Sequence, residues 1–171
     1  IGPEETERME EACGTADVTI RYEEGIQQVY LNGENITGRL REEAVGNMAS
    51  RCAAVPAVRE KLLELQRRLA KEQDVIMDGR DIGTCVLPDA DVKVFLTASV
   101  RTRAERRYKE LKEKGENVNL AEIEEDIRER DERDSTREIA PLKKAEDAVL
   151  VDSSRMTIQE VVRTIAALCR K

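Results

Sequence analysis

Three short apolar runs, set among long helical stretches, constrain this chain more than any other feature. Residues 74–78, 92–97 and 148–152 have strand length and are rich in valine, isoleucine and leucine. Continuous runs of that kind belong in a sheet covered on both faces. Between and after them lie helical segments near 99–114, 119–137 and 157–168. Strands joined by helices pair in parallel, because a parallel neighbour needs a crossover of a dozen or more residues. The predicted fold class is therefore α/β, a parallel sheet covered by helices. At 171 residues the chain can build one such domain with a small appended lobe.

The appended lobe is legible in the first third. Residues 18–22 alternate and are β-branched, Glu24-Gly25 makes a turn, and residues 27–31 form a second strand. Asn32-Gly33 is a strong hairpin signal, and Asn35-Ile36-Thr37 reads as a short third strand. An antiparallel insert is expected over about 17–37. Helices are expected at 3–12, 42–53 and 56–71. In the last of these Val58, Leu62, Leu65 and Leu69 recur at helical spacing behind Pro56, while Ser50 and Arg59 stand outside the stripe. Ser99, Asn119 and Thr157 are expected N-caps.

Chemistry concentrates in Asp78-Gly79-Arg80-Asp81-Ile82-Gly83-Thr84, directly after the first apolar run. The C-terminal ends of strands are where open α/β sheets place ligands. Arginine offers a planar fork of donors for phosphate, and aspartate offers acceptors for an amine or hydroxyl. A solvated strand end with Arg80 and Asp81 paired to each other is the plainer reading of that segment alone. Two charge-rich stretches follow. Arg101, Arg103, Arg106 and Arg107 crowd one helix, and Glu129-Arg130-Asp131-Glu132-Arg133-Asp134-Ser135-Thr136-Arg137 ends the next. Arg130, Asp134 and Arg137 fall at i, i+4 and i+7, so one helical face can present all three.

Composition narrows the classes. The chain contains no histidine, which excludes histidine bases and histidine-based triads. Cys13, Cys52, Cys85 and Cys169 show no C-x-x-C spacing, so they read as reduced thiols in a cytoplasmic protein rather than as a zinc site. A net charge of −7 argues against general nucleic-acid binding. No run approaches a membrane span, and none reads as a secretory leader.

Four separated segments together resemble the bacterial-type cytidylate kinases of the nucleoside monophosphate kinase family. They are Leu31-Asn-Gly-Glu-Asn-Ile-Thr-Gly38; Asn47-Met-Ala-Ser50 with Pro56-Ala-Val-Arg59; the Asp78–Thr84 segment; and the Glu129–Arg137 stretch with Ala140-Pro-Leu142. The resemblance implies a P-loop NTPase-like core sheet, a CMP-binding lobe over 1–73 enlarged by the insert, a core over 74–171, and a helical lid over about 101–137. It implies transfer of the terminal phosphoryl group of ATP, with magnesium, to CMP or dCMP, by a cytoplasmic monomer in pyrimidine nucleotide metabolism. Carried over by motif, Arg80 and Arg130 hold the CMP phosphate as catalytic groups. Ser50, Arg59 and Asp81 surround cytosine, Asp134 accepts from the ribose, and Arg137 reaches the nucleotide. Arg106 and Arg107 close on the ATP phosphates, with a solvated helix face as the other reading. No residue is assigned as a metal ligand.

One departure from the family is plain. The family's strand, Gly-rich phosphate loop with lysine, and following helix have no match, and no G-x-x-x-x-G-K run followed by Ser or Thr occurs. The chain starts at Ile1, so that part is expected to precede it. Without it, the central strand, the ATP site and most activity are expected to be lacking. Three alternatives remain open: a non-catalytic nucleotide-binding fragment, a kinase of the same fold acting on another small substrate, and a helical interaction protein whose charge-rich segments are only solvated faces.

Overall fold

The computed structural model describes residues 5–53 and 55–170, without the side chains of Glu43, Asn47 and Ser50. The chain divides into two compact units, residues 1–75 and 76–171.

The first unit opens with helix α1 (Thr6–Thr15), then strands β1 (Val18–Glu23), β2 (Ile26–Leu31) and β3 (Glu34–Asn35). The three strands form an antiparallel sheet in the order β1-β2-β3. Glu23 pairs with Ile26, which leaves Glu24-Gly25 as a two-residue turn, and Leu31 pairs with Glu34 across Asn32-Gly33. Both turns have positive φ at both central residues, 53° and 78° in the first and 51° and 83° in the second. That conformation matches the right-handed strand twist. The Asn32 side chain also accepts from the Asp17 amide at 2.8 Å, which pins the start of the hairpin. The third strand is shorter than the sequence suggests and lies one residue earlier. Thr37 instead starts a 3₁₀ turn, and its hydroxyl accepts from the Val29 amide at 2.8 Å.

Helices α2 (Glu43–Cys52) and α3 (Pro56–Glu72) complete the unit. Pro56 occupies the first turn of α3, where its missing N–H costs nothing. The expected leucine stripe is present, but none of its residues is buried, and Leu62 remains 43% exposed.

In the second unit, β4 (Val94–Thr97) and β5 (Val149–Asp152) pair in parallel, with Val94 opposite Val149 and Thr97 opposite Asp152. Residues 74–78, expected as a strand, form none, and Ile76 is fully exposed. A strand exists only through its ladder, and this segment finds no ladder partner among the described residues. The next residues close into a five-residue π-type turn, Ile82–Val86, in which the Leu87 amide donates to the Ile82 carbonyl at 2.7 Å.

Helices α4 (Val100–Glu113) and α5 (Leu120–Thr136) pack as a hairpin around Ala104, Leu111 and Ile123, with Tyr108, Val118, Leu120 and Ile127 around them. Ser99 caps α4 by accepting from the Thr102 amide, and Asn119 caps α5 by accepting from Ala121. At the end of α4, Gly115 has φ +80°. Its amide bonds the Lys112 carbonyl while the Glu116 amide reaches Leu111, so the helix ends in a Schellman motif. Helix α6 (Ile158–Leu168) begins with a reciprocal capping box between Thr157 and Glu160.

Candidate active site

The second unit gathers five of the residues singled out by the sequence. Asp134, on α5, is 4% exposed. It accepts from Arg80 Nε at 2.9 Å and lies 3.9 Å from Arg130 Nε, one turn earlier on the same helix. Arg137 Nη2 stands 3.8 Å from Asp81 Oδ1, with both side chains mostly buried. The Asp78–Thr84 segment and the end of α5 are thus cross-connected twice, by Arg80 to Asp134 and by Arg137 to Asp81. With Arg103 and Asp131, whose carboxyl also feels Arg80 and Arg130, four guanidiniums stand against three carboxylates in a chain of net charge −7. Such a cluster suits an anion of moderate size, because guanidinium forks match phosphate oxygens geometrically.

Local backbone holds these groups in place. The Asp81 carbonyl accepts from the Cys85 amide at 2.8 Å, so the π-type turn anchors the residue. Gly79 matters through close approach: a Cβ there would lie 2.9 Å from Ile82 Cγ1. Beyond α5 the chain folds back. Leu142 N–H donates to the Asp134 carbonyl at 2.7 Å, and Arg137 Nε donates to the Ala140 carbonyl at 2.7 Å. Ala140 has φ +49°, a costly conformation for alanine, in the one turn that returns the chain to Arg137 and Asp134.

The arginine run on α4 resolves into distinct contacts. Arg103 forms a bidentate pair with Asp131 of α5, with Nη1 to Oδ1 at 2.8 Å, and its Nε donates to the Ala98 carbonyl at 3.1 Å. The Arg103 guanidinium holds the Asp131 carboxyl below its usual range, with Arg80 and Arg130 adding to the effect. Arg101 reaches Glu105 on its own helix and Glu124 on α5. Arg106 donates to the Ser153 carbonyl at 2.6 Å and its hydroxyl at 3.2 Å, beyond the C-terminal end of β5. Arg107 pairs with Glu110 along the helix at 3.0 Å. Sequence reading does not single out the Arg103–Asp131 pair or Ser153. The only signal for the first is an acid inside the charged stretch on α5, facing an arginine 28 residues earlier.

Arg59 and Ser50 belong to the first unit. Arg59 sits in the first turn of α3, and its Nη1 donates to the Ala53 carbonyl at 3.4 Å. Ser50 is in α2, and its side chain lies outside the described residues. Among the described residues, no group of three or more acidic or cysteine side chains is placed to hold a metal ion, and no helix is long and apolar enough to cross a membrane.

Comparison with known proteins agrees along the whole length. The chain is 46% identical over 171 residues to a cytidylate kinase of Caldicellulosiruptor saccharolyticus, covering 100% of this chain and 76% of that protein. It is 49% identical over 154 residues to a cytidylate kinase of Lactobacillus gasseri, covering 90% of this chain and 67% of the relative. It is 51% identical over 151 residues to one from Aeromonas salmonicida, covering 88% and 66%. The model of the cytidylate kinase family matches residues 2–171, and with the paired Asp78–Thr84 segment and α5 face already in view, the chain belongs to that family.

Proposed function

We propose that the protein transfers the γ-phosphoryl group of ATP to CMP or dCMP, giving ADP and CDP or dCDP, in the cytoplasm, and that this chain carries the acceptor-nucleotide half of the site. The carrying observation is the Arg80–Asp134–Arg130 cluster beside Arg137–Asp81. Phosphoryl transfer asks little covalent chemistry of a protein and much positioning and charge stabilisation, which arginines and aspartates supply without histidine. In this reading residues 1–73 form the CMP-binding lobe, residues 74–171 the core, and about 101–137 the lid.

Arg80 and Arg130 hold the CMP phosphate, Asp134 accepts from the ribose hydroxyls, and Arg137 both orders Asp81 and reaches the nucleotide. Asp81 accepts from the exocyclic amine of cytosine, and Arg59 and Ser50 complete the base contacts. Those last two roles rest on the family motif alone. Uracil presents a carbonyl where cytosine presents the amine, so Asp81 rejects it. Arg106 and Arg107 are the candidates for ATP-phosphate contact. Arg107 reaches it by exchanging one carboxylate partner, whereas Arg106 must leave Ser153.

The divalent ion implied by the family arrives as part of the ATP co-substrate. Among the described residues no group of three acidic or cysteine side chains gathers to hold that ion, and Asp81 and Asp134 each face an arginine. The chain contains no G-x-x-x-x-G-K run, so we expect it to bind CMP without turning it over.

Titration calorimetry of this chain with CMP and UMP tests the reading. CMP should bind at least ~100-fold more tightly than UMP, the scale on which an unpaired buried polar group discriminates. Asp81→Ala should erase most of that preference. Equal affinity for the two nucleotides would sink the cytosine assignment, and heat-silent titrations with both would remove the nucleotide site itself.

A further inference from the structure

The first unit contains a cavity of about 580 Å³ whose lining includes Met9, Cys13, Met48 and Cys52. Two of the four cysteines and two of the four methionines in the chain therefore open on one space. Their spacing is the same on both helices. Met9 and Cys13 are i and i+4 on α1, and Met48 and Cys52 are i and i+4 on α2. Each helix thus presents a thioether and a thiol one turn apart on one face. One sulfur of each pair meets one of the other: Cys52 Sγ lies 3.6 Å from Met9 Sδ, and Met9 is 5% exposed. Cys13 Sγ points to the Ala57 carbonyl at 3.7 Å, and both thiols are free.

Buried cysteine and methionine commonly serve as plain filling in an apolar core. Here they do not fill it, because the space they border stays open and the leucine stripe of α3 beside it is only half covered. With no group of three acidic or cysteine side chains among the described residues, the cavity is no site for a hard divalent cation. Two thiols and two thioethers are the donor set that selects a soft monovalent ion.

We propose that Met9, Cys13, Met48 and Cys52 form a binding site for a thiophilic monovalent metal ion, of which cuprous copper is the test case. Both cysteines release their protons to solvent as they ligate, and no electron is transferred. The unbranched methionine side chains have the rotational freedom to turn toward one ion. None of the four residues has a part in the phosphoryl transfer proposed above.

The test is an anaerobic titration of the full 171-residue chain with cuprous ion buffered by bicinchoninate, alongside X-ray absorption at the copper edge. The chain should withdraw about one equivalent of copper, and the metal should show sulfur neighbours only. Cys13→Ser/Cys52→Ser should weaken binding about tenfold or more, since even second-sphere changes cost that much. Cys85→Ser/Cys169→Ser should leave it unchanged. Copper retained by the first variant, copper lost from the second, or nitrogen and oxygen neighbours at the metal would each overturn the site. If circular dichroism shows the first variant unfolded, Met9→Leu/Met48→Leu decides. That variant keeps apolar volume, and undiminished affinity in it would be equally decisive against the proposal.

Discussion

Asp134 is the residue on which the nucleotide cluster turns. It is the most deeply buried charged residue among those described, and arginines approach it from two segments. A carboxylate so placed is tolerable because it is paired, and removing its charge leaves Arg80 without its partner. Asp134→Asn keeps the shape and one acceptor but loses the charge assistance. A hydrogen bond to a charged group contributes about 1.5–3 kcal/mol. Arg80 is 44% exposed, so water replaces part of what it loses. We therefore expect the low end, a loss of about 1–2 kcal/mol, read as a lower urea midpoint. An unchanged midpoint would mean that the cluster contributes nothing to the fold and that Asp134 is kept in place by other contacts.

The helical hairpin of α4 and α5 shows what a sequence does and does not reveal about an element. Features closed within a few residues are legible: the Asn32-Gly33 turn, Pro56 opening α3, and the caps Ser99, Asn119 and Thr157. All are decided by local backbone geometry. The Arg130–Asp134 pair on one face of α5 is legible for the same reason, whereas Arg137 lies just past the helix, as its C-cap in non-helical backbone. Residues 74–78 mislead, because apolar composition favours a strand but only a neighbouring strand makes one. The arginines of α4 cannot all be sorted in advance: Arg107 finds Glu110 three residues on, but Glu124, Asp131 and Ser153, which Arg101, Arg103 and Arg106 reach, are 23 to 47 residues away. Of these contacts, Arg103–Asp131 ties the two helices most directly, and it gives the hairpin a pH signature. Hydrogen bonding to Arg103 lowers the Asp131 pKa from its ordinary value of 3.8, so the unfolded chain binds that proton more readily than the folded one. The stability from this pair is present above about pH 3.8 and drains away as pH falls through the lower folded value. Asp131→Asn should therefore be less stable than the parent at pH 7, and the difference should narrow toward about pH 3 in urea titrations followed by circular dichroism. A gap that stayed constant over that range would show that the pair does not set the acid limb.

For the whole molecule, the decisive quantity is how little is buried. Among the described residues no large side chain falls below 2% exposure, while Ile76, Leu96, Leu150, Ile158 and Val162 are each more than half exposed. The accessible surface is 12511 Å². Two separate compact bodies of these sizes would expose about 10,000 Å² in total by the usual scaling of surface with mass. The excess therefore does not depend on how the two units are arranged. Open faces within them contribute to it: the β4–β5 pair with Leu96 and Leu150 uncovered, Ile158 and Val162 on α6, and the half-covered stripe of α3 beside its cavity. Denaturant sensitivity follows from surface newly exposed on unfolding, and a chain that already exposes this much has less left to expose. We expect a urea slope roughly a tenth or more below that of compact domains of the same total length, together with binding of an apolar dye such as ANS under native conditions. The two readouts must move together. A ligand that covers those faces should raise the slope and quench the dye signal at once. A slope at the compact-domain value with no dye binding would mean that the open faces are closed in solution, either within the chain or against a second copy. Analytical ultracentrifugation of the same sample would distinguish those two, because only the second doubles the mass.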